Sequence, residues 1–297
     1  TEFSGKLTGT NNSWSHGAID IKSEKTLSDE EDYPALKLNA LNLTSTTDNG
    51  SLFNMVESGK PLYIQATGES SSNLKAKGDV IKNSNGCILF LDGGTVGLNI
   101  AGEGNNSCGI DLYNSSSLVS ATLIDKITVT AGGTAVHVGN SATLSAATDA
   151  EVMVSSENGS AIYEEVVEKV KSPFLQWKFA TAPTTGQTLE IKNANGESLS
   201  PAIQFTTDNA KKSFAINVTK DTGYTLWLGN EQLMDAKGTS VFTATGNKLF
   251  DFSGIRTFPA NWPDYAQIGD VGTDGTDVSL SGTNYSVKTA CGLAWIA

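Results

Sequence analysis

The stretch GTAVHVGNSATL (133–144) carries the pattern that decides the fold, and NGSAIYEE (158–165) repeats its first half further along the chain. Each begins with a turn-forming residue and small residues, which are followed by an apolar, a variable and an apolar position. Alternation with period two between Gly or Asn residues is typical of short β-strands. The same phrase occurs at 50–55, 86–91, 107–112, 133–138 and 159–163, with a later echo at 200–205.

The spacing of the phrases favours a solenoid over a β-sandwich. The copies that start at Ser107, Gly133 and Gly159 are evenly spaced, whereas the step from Gly50 to Gly86 is longer, as expected for coils that carry insertions. One coil of short strands cannot bury its apolar face alone, but stacked coils bury it between them.

We therefore predict an all-β chain that forms a right-handed parallel β-helix, with Asn54, Asp111 and His137 on its outer surface. Within each phrase the apolar residues on either side of these positions are expected to point inward. A β-sandwich is the alternative, because it also produces alternating strands and Gly-rich turns.

The composition excludes two classes of function. The chain has a net charge of −12, and Arg256 is its single arginine. It therefore lacks the basic surface with which proteins neutralise nucleic acid phosphates. No apolar run reaches the length of a membrane-spanning helix, so we expect membrane attachment only through segments outside this sequence. Gly, Ser, Thr and Asn make up 116 of the 297 residues, which suits the many turns and polar ladders of a solenoid.

The chain resembles the passenger domains of bacterial autotransporters in two respects. One is the repeated phrase at 133–144 and 158–165, and the other is a composition that is poor in Arg and rich in Thr, Ser and Asn. These belong to the pectate-lyase-like class of right-handed β-helices. The resemblance covers about residues 35–255. It implies a secreted or bacterial cell-surface protein that acts as an adhesin and binds host proteins, glycans or other cells, or associates with itself. A purely structural stalk is a further alternative.

The irregular segments are the expected contact regions. We predict one β-helical domain over residues 1–297, with an insertion near 163–180 and an irregular part from about 256. Val166, Val167 and Val170 have helical spacing, which predicts about two turns of helix in the insertion. The loops 29–34, 164–178 and 258–265 interrupt the repeat, and the binding candidates in them are Asp29, Glu30, Glu31, Asp32, Trp177, Trp262 and Tyr265. The aromatic residues after 200 are expected to stack in the core.

The three cysteines leave two interpretations open. Cys87 and Cys108 occur in successive copies of the phrase, so if the interval between them is one coil, they would lie above one another and could form a disulfide. Alternatively, they are two small buried apolar residues. Cys291 is unpaired in both cases. Three cysteines and two histidines without close pair spacing do not predict a structural zinc site.

Carboxylates are the remaining reactive groups. Asp92 and Asp111, if they face outward on neighbouring repeats, are the catalytic candidates for a polysaccharide lyase or glycoside hydrolase on the same scaffold. Otherwise no catalytic residue is predicted. Asp270, Asp274 and Asp277 lie close together in the sequence and could supply oxygen ligands for calcium, or form a solvated turn. No other cofactor is expected.

Overall fold

A computed structural model describes residues 2–9, 19–21, 35–46, 48–55, 61–83, 87–113, 119–183, 186–204, 211–235, 239–252, 256–257, 278–281, 283–288 and 293. Within these ranges the chain is nearly all β-strand. It folds into two compact units. Unit 1 comprises Thr1–Gln176, Lys211–Lys220 and Ala244–Lys248, and unit 2 comprises Trp177–Ala210, Asp221–Thr243 and Leu249–Ala297. None of the helices in the described residues is long and apolar enough to cross a membrane.

Twenty-six strands follow one another within the described residues. They are β1 Glu2–Gly9, β2 Ile19–Ile21, β3 Ala35–Ser45, β4 Phe53–Met55, β5 Pro61–Thr67, β6 Ser72–Ala76, β7 Ile81–Asn83, β8 Ile88–Asp92, β9 Leu98–Gly102, β10 Ile110–Leu112, β11 Val119–Ile124, β12 Lys126–Ala131, β13 Val136–Val138, β14 Ala142–Ala146, β15 Glu151–Ser156, β16 Ile162–Glu164, β17 Phe174–Phe179, β18 Thr188–Asn193, β19 Ser198–Gln204, β20 Ser213–Asn217, β21 Tyr224–Leu228, β22 Glu231–Met234, β23 Asn247–Phe252, β24 Arg256–Thr257, β25 Val278–Ser281 and β26 Asn284–Val287.

The strands up to β16 stack in parallel as a β-solenoid of about four turns, so the solenoid prediction is confirmed and the β-sandwich is not formed. Three strands make one coil, and three faces result. Face 1 contains the first half of β3 with β5, β8, β11 and β14. Face 2 contains the second half of β3 with β6, β9, β12 and β15. Face 3 contains β2, β4, β7, β10, β13 and β16.

The register on face 3 corrects the way in which the repeated phrases were matched to successive coils. Phe53 pairs with Ile81, Ile81 with Ile110, Ile110 with Val136, and Val136 with Ile162. The coils are therefore nearly equal in length, without the long step from Gly50 to Gly86 and the short step after it. The copy of the phrase that belongs to this face is GDVIKN (78–83), whereas the copy at 86–91 overlaps β8 (Ile88–Asp92), which lies on face 1. Both segments have the same alternation, and only the register distinguishes them.

The core lies between the three faces because alternate side chains point inward. In β8, Leu89 and Leu91 are fully buried, whereas Ile88 and Phe90 are only half-buried. Each phrase begins with small residues because the corners of successive coils stack closely. A Cβ atom added to Gly159 would lie 2.9 Å from the backbone of Gly133 in the coil below. The corner therefore requires a residue without a side chain.

Polar ladders also cross the coils, as the Asn-rich composition predicts. The Asn73 Nδ2 donates to Asn42 Oδ1 at 2.6 Å, and Asn99 Nδ2 donates to Asn73 Oδ1 at 2.9 Å. These three residues occupy matching positions of β3, β6 and β9 on face 2. The ladder thus lies on the strands of face 2.

The last coil of the solenoid is covered by other elements of unit 1. Strand β20 pairs in antiparallel fashion with β15, so it ends the parallel stacking on face 2. On face 3, Gln176 Oε1 accepts a hydrogen bond from the Ile162 N–H at 2.9 Å, and Ser213 Oγ accepts one from the Ala161 N–H at 2.9 Å. These contacts satisfy backbone donors of an edge strand that would otherwise template pairing with another chain.

The helix predicted at 163–171 does not form. β16 occupies 162–164, a turn follows, and Val170 forms a parallel bridge with Leu144. The side chain of Glu164 closes this turn because its Oε1 accepts hydrogen bonds from the N–H groups of Lys169 and Val170. Val167 is 81% exposed, so no apolar helix face is buried here.

Unit 2 is built from antiparallel pairs. Its main sheet has the order β19-β18-β21-β22-β24, and β25 pairs with β26. Trp177 contacts Phe242 edge-on, with ring centroids 6.3 Å apart, and Phe179 stacks on Phe252 at 5.3 Å. All four rings are buried. Phe242 and Phe252 were predicted to lie in the core, whereas Trp177 was predicted to lie in a contact loop. The parallel β-helix therefore ends near Val170, well before residue 255.

Candidate functional site

The candidate site is a row of side chains on the outer surface of face 3. The middle residues of β7, β10, β13 and β16 are in register, and they are Lys82, Asp111, His137 and Tyr163. The residues on both sides of Lys82, Asp111 and His137 are buried, as is Ile162 before Tyr163, so these four point outward. Sequence reasoning placed Asp111 and His137 correctly on the outside. Asn54 occupies the corresponding position of β4 but is buried.

His137 is held between two carboxylates. Its Nδ1 lies 2.7 Å from Asp111 Oδ1 in a hydrogen bond, and its Nε2 lies 3.4 Å from Glu165 Oε1. Glu165 is fixed in turn, because its Oε2 accepts a hydrogen bond from the Asn140 N–H at 2.8 Å. Both ring nitrogens of His137 therefore face an acceptor, an arrangement that suits the protonated imidazole.

Two tyrosine rings extend the row on either side of His137. The Tyr113 ring stacks with the imidazole at a centroid distance of 6.1 Å, and the Tyr163 ring does so at 5.7 Å. Tyr113 is 46% exposed and Tyr163 is 50% exposed, so both rings remain available to a partner. We call the group formed by Asp111, Tyr113, His137, Tyr163 and Glu165 the His137 ladder.

The electrostatics of the ladder follow from these contacts. The hydrogen bond to Asp111 raises the pKa of His137 above its ordinary value, and the charges of Asp111 and Glu165 add to this, while burial opposes it. Burial and the Asp111 charge raise the pKa of Asp79, which lies one coil below, in the residues before β7. The ladder thus stores a proton on His137 at a higher pH than a free imidazole would.

An exposed apolar turn borders the ladder. Val166 is 47% exposed and Val167 is 81% exposed, directly after Glu165. Tyrosine rings, carboxylates and exposed valines thus occupy one region of face 3. Such a region can contact a partner through stacking, charge and apolar burial, and its histidine can also exchange a proton. Among the described residues, no group of His, Cys, Asp and Glu is arranged to hold a metal ion.

The structure does not bring Asp92 and Asp111 together. Asp92 ends β8 on face 1, whereas Asp111 lies in β10 on face 3 of the same coil. Asp92 is buried, and both of its oxygens have partners. Its Oδ2 accepts a hydrogen bond from Gln65 Nε2 at 2.8 Å, and its Oδ1 accepts one from the Gly94 N–H at 2.8 Å. Loss of solvation, the Asp92 charge and a hydrogen bond to Asp92 raise the pKa of Asp125. Asp92 thus bonds Gln65 and Gly94 on face 1, whereas Asp111 bonds His137 on face 3.

Of the predicted binding residues, Trp177 lies in β17 and is fully buried, so it is not part of an exposed loop. The first four residues of β17 are all buried, and the Trp177 ring contacts Phe242 in unit 2. The remaining candidates lie outside the described residues, and they are Asp29, Glu30, Glu31, Asp32, Trp262 and Tyr265. The same holds for the calcium candidates Asp270, Asp274 and Asp277, and for Cys291.

Cys87 and Cys108 are buried thiols and not halves of a disulfide. The register explains why: Cys108 lies above Asp79, whose Oδ1 accepts the Cys108 N–H at 2.9 Å, while Cys87 precedes β8 on face 1. The interval between the two cysteines is therefore not one coil. Burial raises the pKa of the Cys87 thiol to about 12 and that of Cys108 well above its ordinary value. Thiols of this kind react slowly.

We expect the melting temperature to be the same with and without a reducing agent. A disulfide closing a loop of this length would contribute about 3 kcal/mol, so its reduction would lower the melting temperature by several degrees. Thermal unfolding of a Cys291→Ser variant, followed with and without a phosphine reductant, tests this without the third thiol. A marked decrease on reduction would show that Cys87 and Cys108 are bonded.

Sequence reasoning did not single out Lys82, Tyr113, Tyr163 or Glu165, although Glu165 lies in the predicted contact loop 164–178. Lys82 was missed because the phrase at 78–83 was not aligned with the others. Its position, almost midway between the copies at 50–55 and 107–112, was a usable signal. Tyr113 and Glu165 directly follow their strands, and only the fold brings both rings and carboxylates to His137.

The fold and the ladder together define a β-solenoid that presents an aromatic and acidic surface. Comparison with protein-family models, with curated proteins and with solved structures finds no match to this chain.

Proposed function

We propose that this chain is an adhesin-like β-solenoid, secreted or displayed on a bacterial cell surface, that binds host proteins, glycans or other cells through the His137 ladder. The β-solenoid fold and the resemblance in sequence style to autotransporter passenger domains support this proposal. Membrane attachment in this proposal comes only from segments outside the sequence.

The observation that carries the proposal is the stack of the Tyr113, His137 and Tyr163 rings on the outer side of face 3. Within this stack, His137 also lies between the carboxylates of Asp111 and Glu165. Tyrosine is favoured in binding surfaces because it offers a large rigid contact area with a polar end. The adjacent Val166 and Val167 add exposed apolar area. A structural stalk would need none of these features on its outer surface, which argues against that alternative.

The second candidate is a polysaccharide lyase or glycoside hydrolase on the same scaffold. The favouring observation is that His137 lies between Asp111 and Glu165 on the outer side of face 3, with all three side chains partly exposed. An imidazole with a tuned pKa next to carboxylates is a usable acid–base pair. In this alternative the catalytic group is His137 with Asp111, and Asp92 is not part of it.

The purified protein should bind at least one member of a glycan array or a panel of host matrix proteins. Replacing both Tyr113 and Tyr163 by Ala is expected to weaken that binding about tenfold or more, since truncating a central aromatic contact typically costs about 2 kcal/mol or more. The matched control is Lys75→Ala, which removes an exposed side chain from face 2 of the same unit. Circular dichroism verifies that both variants are folded.

Binding that is unchanged in the tyrosine variant would contradict the proposed site. Polysaccharide cleavage is followed in parallel on the wild type and on His137→Gln. Cleavage that the His137 variant loses would support the enzyme and overturn the adhesin proposal.

A further inference from the structure

The charge of the His137 ladder is complementary to a cation. Asp111 and Glu165 contribute two negative charges, and His137 contributes one positive charge or none, so these three groups carry −1 when the imidazole is protonated and −2 when it is neutral. Lys82, which is in register with Asp111 on the side away from His137, adds one positive charge at the end of the row. The whole chain carries a net charge of −12. A cationic partner is therefore attracted both by the protein as a whole and by this surface.

The shapes of the exposed groups favour a guanidinium over a simple ammonium. Tyr113 and Tyr163 offer half-exposed rings next to the carboxylates. A planar guanidinium can stack on such a ring and donate paired hydrogen bonds to a carboxylate at the same time. Val166 and Val167 border Glu165, so apolar side chains of the same partner segment would find exposed surface there.

We propose that the His137 ladder binds an arginine-rich segment of a partner protein, and that this binding releases the proton held by His137. The inference rests on the proposed function in taking the ladder as the contact surface, and it adds the chemical class of the partner and its coupling to pH. The proton leaves the imidazole for the solvent as the guanidinium takes its place beside Asp111 and Glu165.

The proton release follows from the geometry around His137. Both carboxylates that a guanidinium would use already face the imidazole nitrogens, at 2.7 Å and 3.4 Å. Two cations next to the same carboxylates repel each other, so the bound arginine disfavours the imidazolium. The titratable and charged groups on the neighbouring segments are Asp79, Lys82, Cys108, Asp111, Tyr113, Tyr163 and Glu165.

The sign of the pH dependence is then determined. The pKa of His137 in the unbound protein is raised, and the bound cation lowers it. Below both values His137 stays protonated in the bound state as well and repels the arginine, so binding is weaker. Between the two values binding releases the proton. Affinity rises as the pH increases through the His137 titration and becomes constant above it. Arginine stays charged over this range.

The test uses fluorescence anisotropy with labelled octa-arginine, octa-lysine and octa-glutamate on the full chain at pH 5.5 and 8.5. Octa-arginine should bind tightest, octa-glutamate should not bind, and the affinity for octa-arginine should be about fivefold higher at pH 8.5, as expected for one unit charge at close range in water. His137→Gln should remove this pH dependence. Equal affinities at the two pH values would overturn the coupling to His137.

Two charge-matched variants separate the ladder from the general negative charge of the chain. Glu165→Gln removes a ladder carboxylate, and Glu103→Gln removes a carboxylate that is exposed and paired with Lys75 on face 2. We expect Glu165→Gln to weaken octa-arginine binding about fivefold and Glu103→Gln to change it less than about twofold. Equal losses would show that the peptide binds through net charge alone and would overturn the inference.

The failures of the two proposals are distinguishable. If the tyrosine variant loses binding to a glycan or to an uncharged protein segment while octa-arginine binding is insensitive to Glu165→Gln, the contact surface stands and the partner class is wrong. If the tyrosine variant binds every array and panel ligand like the wild type, the contact surface itself is refuted.

Discussion

Replacing Gly93 by Ala is expected to destabilise the solenoid by about 3 kcal/mol or more, or to prevent folding. Gly93 lies at the corner between β8 and β9, where its N–H donates to the Ile124 carbonyl of the next coil at 3.0 Å. A Cβ atom at this position would lie 1.8 Å from the Lys126 carbonyl oxygen. No side chain can move away to relieve this contact, because the clashing atom belongs to the backbone, so overpacking carries its full cost.

The measurement is the free energy of unfolding from urea titration, with Gly246→Ala as the matched control. Gly246 also belongs to unit 1, but a Cβ atom there meets nothing within 4 Å. The control should therefore stay within about 0.5 kcal/mol of the wild type. A Gly93→Ala protein as stable as the control would show that the coils are not stacked at this corner as described.

Replacing Leu89 by Ala should destabilise the protein by about 2–5 kcal/mol, more than replacing its larger neighbour Phe90 by Ala. Leu89 is fully buried between the faces, so its truncation leaves a cavity. Phe90 is half-buried on the outer side of face 1, where it stacks on Tyr63 at a centroid distance of 4.5 Å. Losing that contact removes a stacked pair without opening a cavity in the core, and about 1 kcal/mol is expected.

Unfolding of the two variants in the same urea titration tests the side assignment of β8. Because the two residues are adjacent in β8, the two variants differ mainly in the side of the strand on which a side chain is truncated. If Phe90→Ala were the more damaging substitution, the strand would be turned by one residue, and every inward residue of face 1 would be misassigned.

The sequence allowed the fold class to be predicted because period-two alternation, Gly corners and Asn-rich turns are local features. In a strand such as Val136–Val138, a polar residue between two apolar residues indicates which side of the strand faces the solvent. His137 and Asp111 could therefore be placed on the surface. The length of one coil was harder to determine. Segments 78–83 and 86–91 share the same alternation, and hydrogen bonding between coils decides which of them pairs with Phe53.

The sites depended on that register. Because 78–83 and not 86–91 belongs to face 3, Cys87 lies between β7 and β8 and Asp92 lies on face 1, so neither is next to Cys108 or Asp111. The helix predicted from the spacing of Val166, Val167 and Val170 was overridden because Glu164 accepts the backbone N–H groups that close the turn and Val170 pairs with Leu144. Such contacts join residues that local patterns cannot relate.

The sequence by itself determined that the chain forms stacked β-coils with an acidic, Arg-poor surface, because composition and short-range alternation specify these properties. Only the tertiary structure decided that His137 lies between Asp111 and Glu165 and between two tyrosine rings. Those partners come from the preceding and the following coil, a full turn of the solenoid away along the chain. Their meeting depends on the interstrand register, which is fixed by backbone hydrogen bonds and core packing across coils.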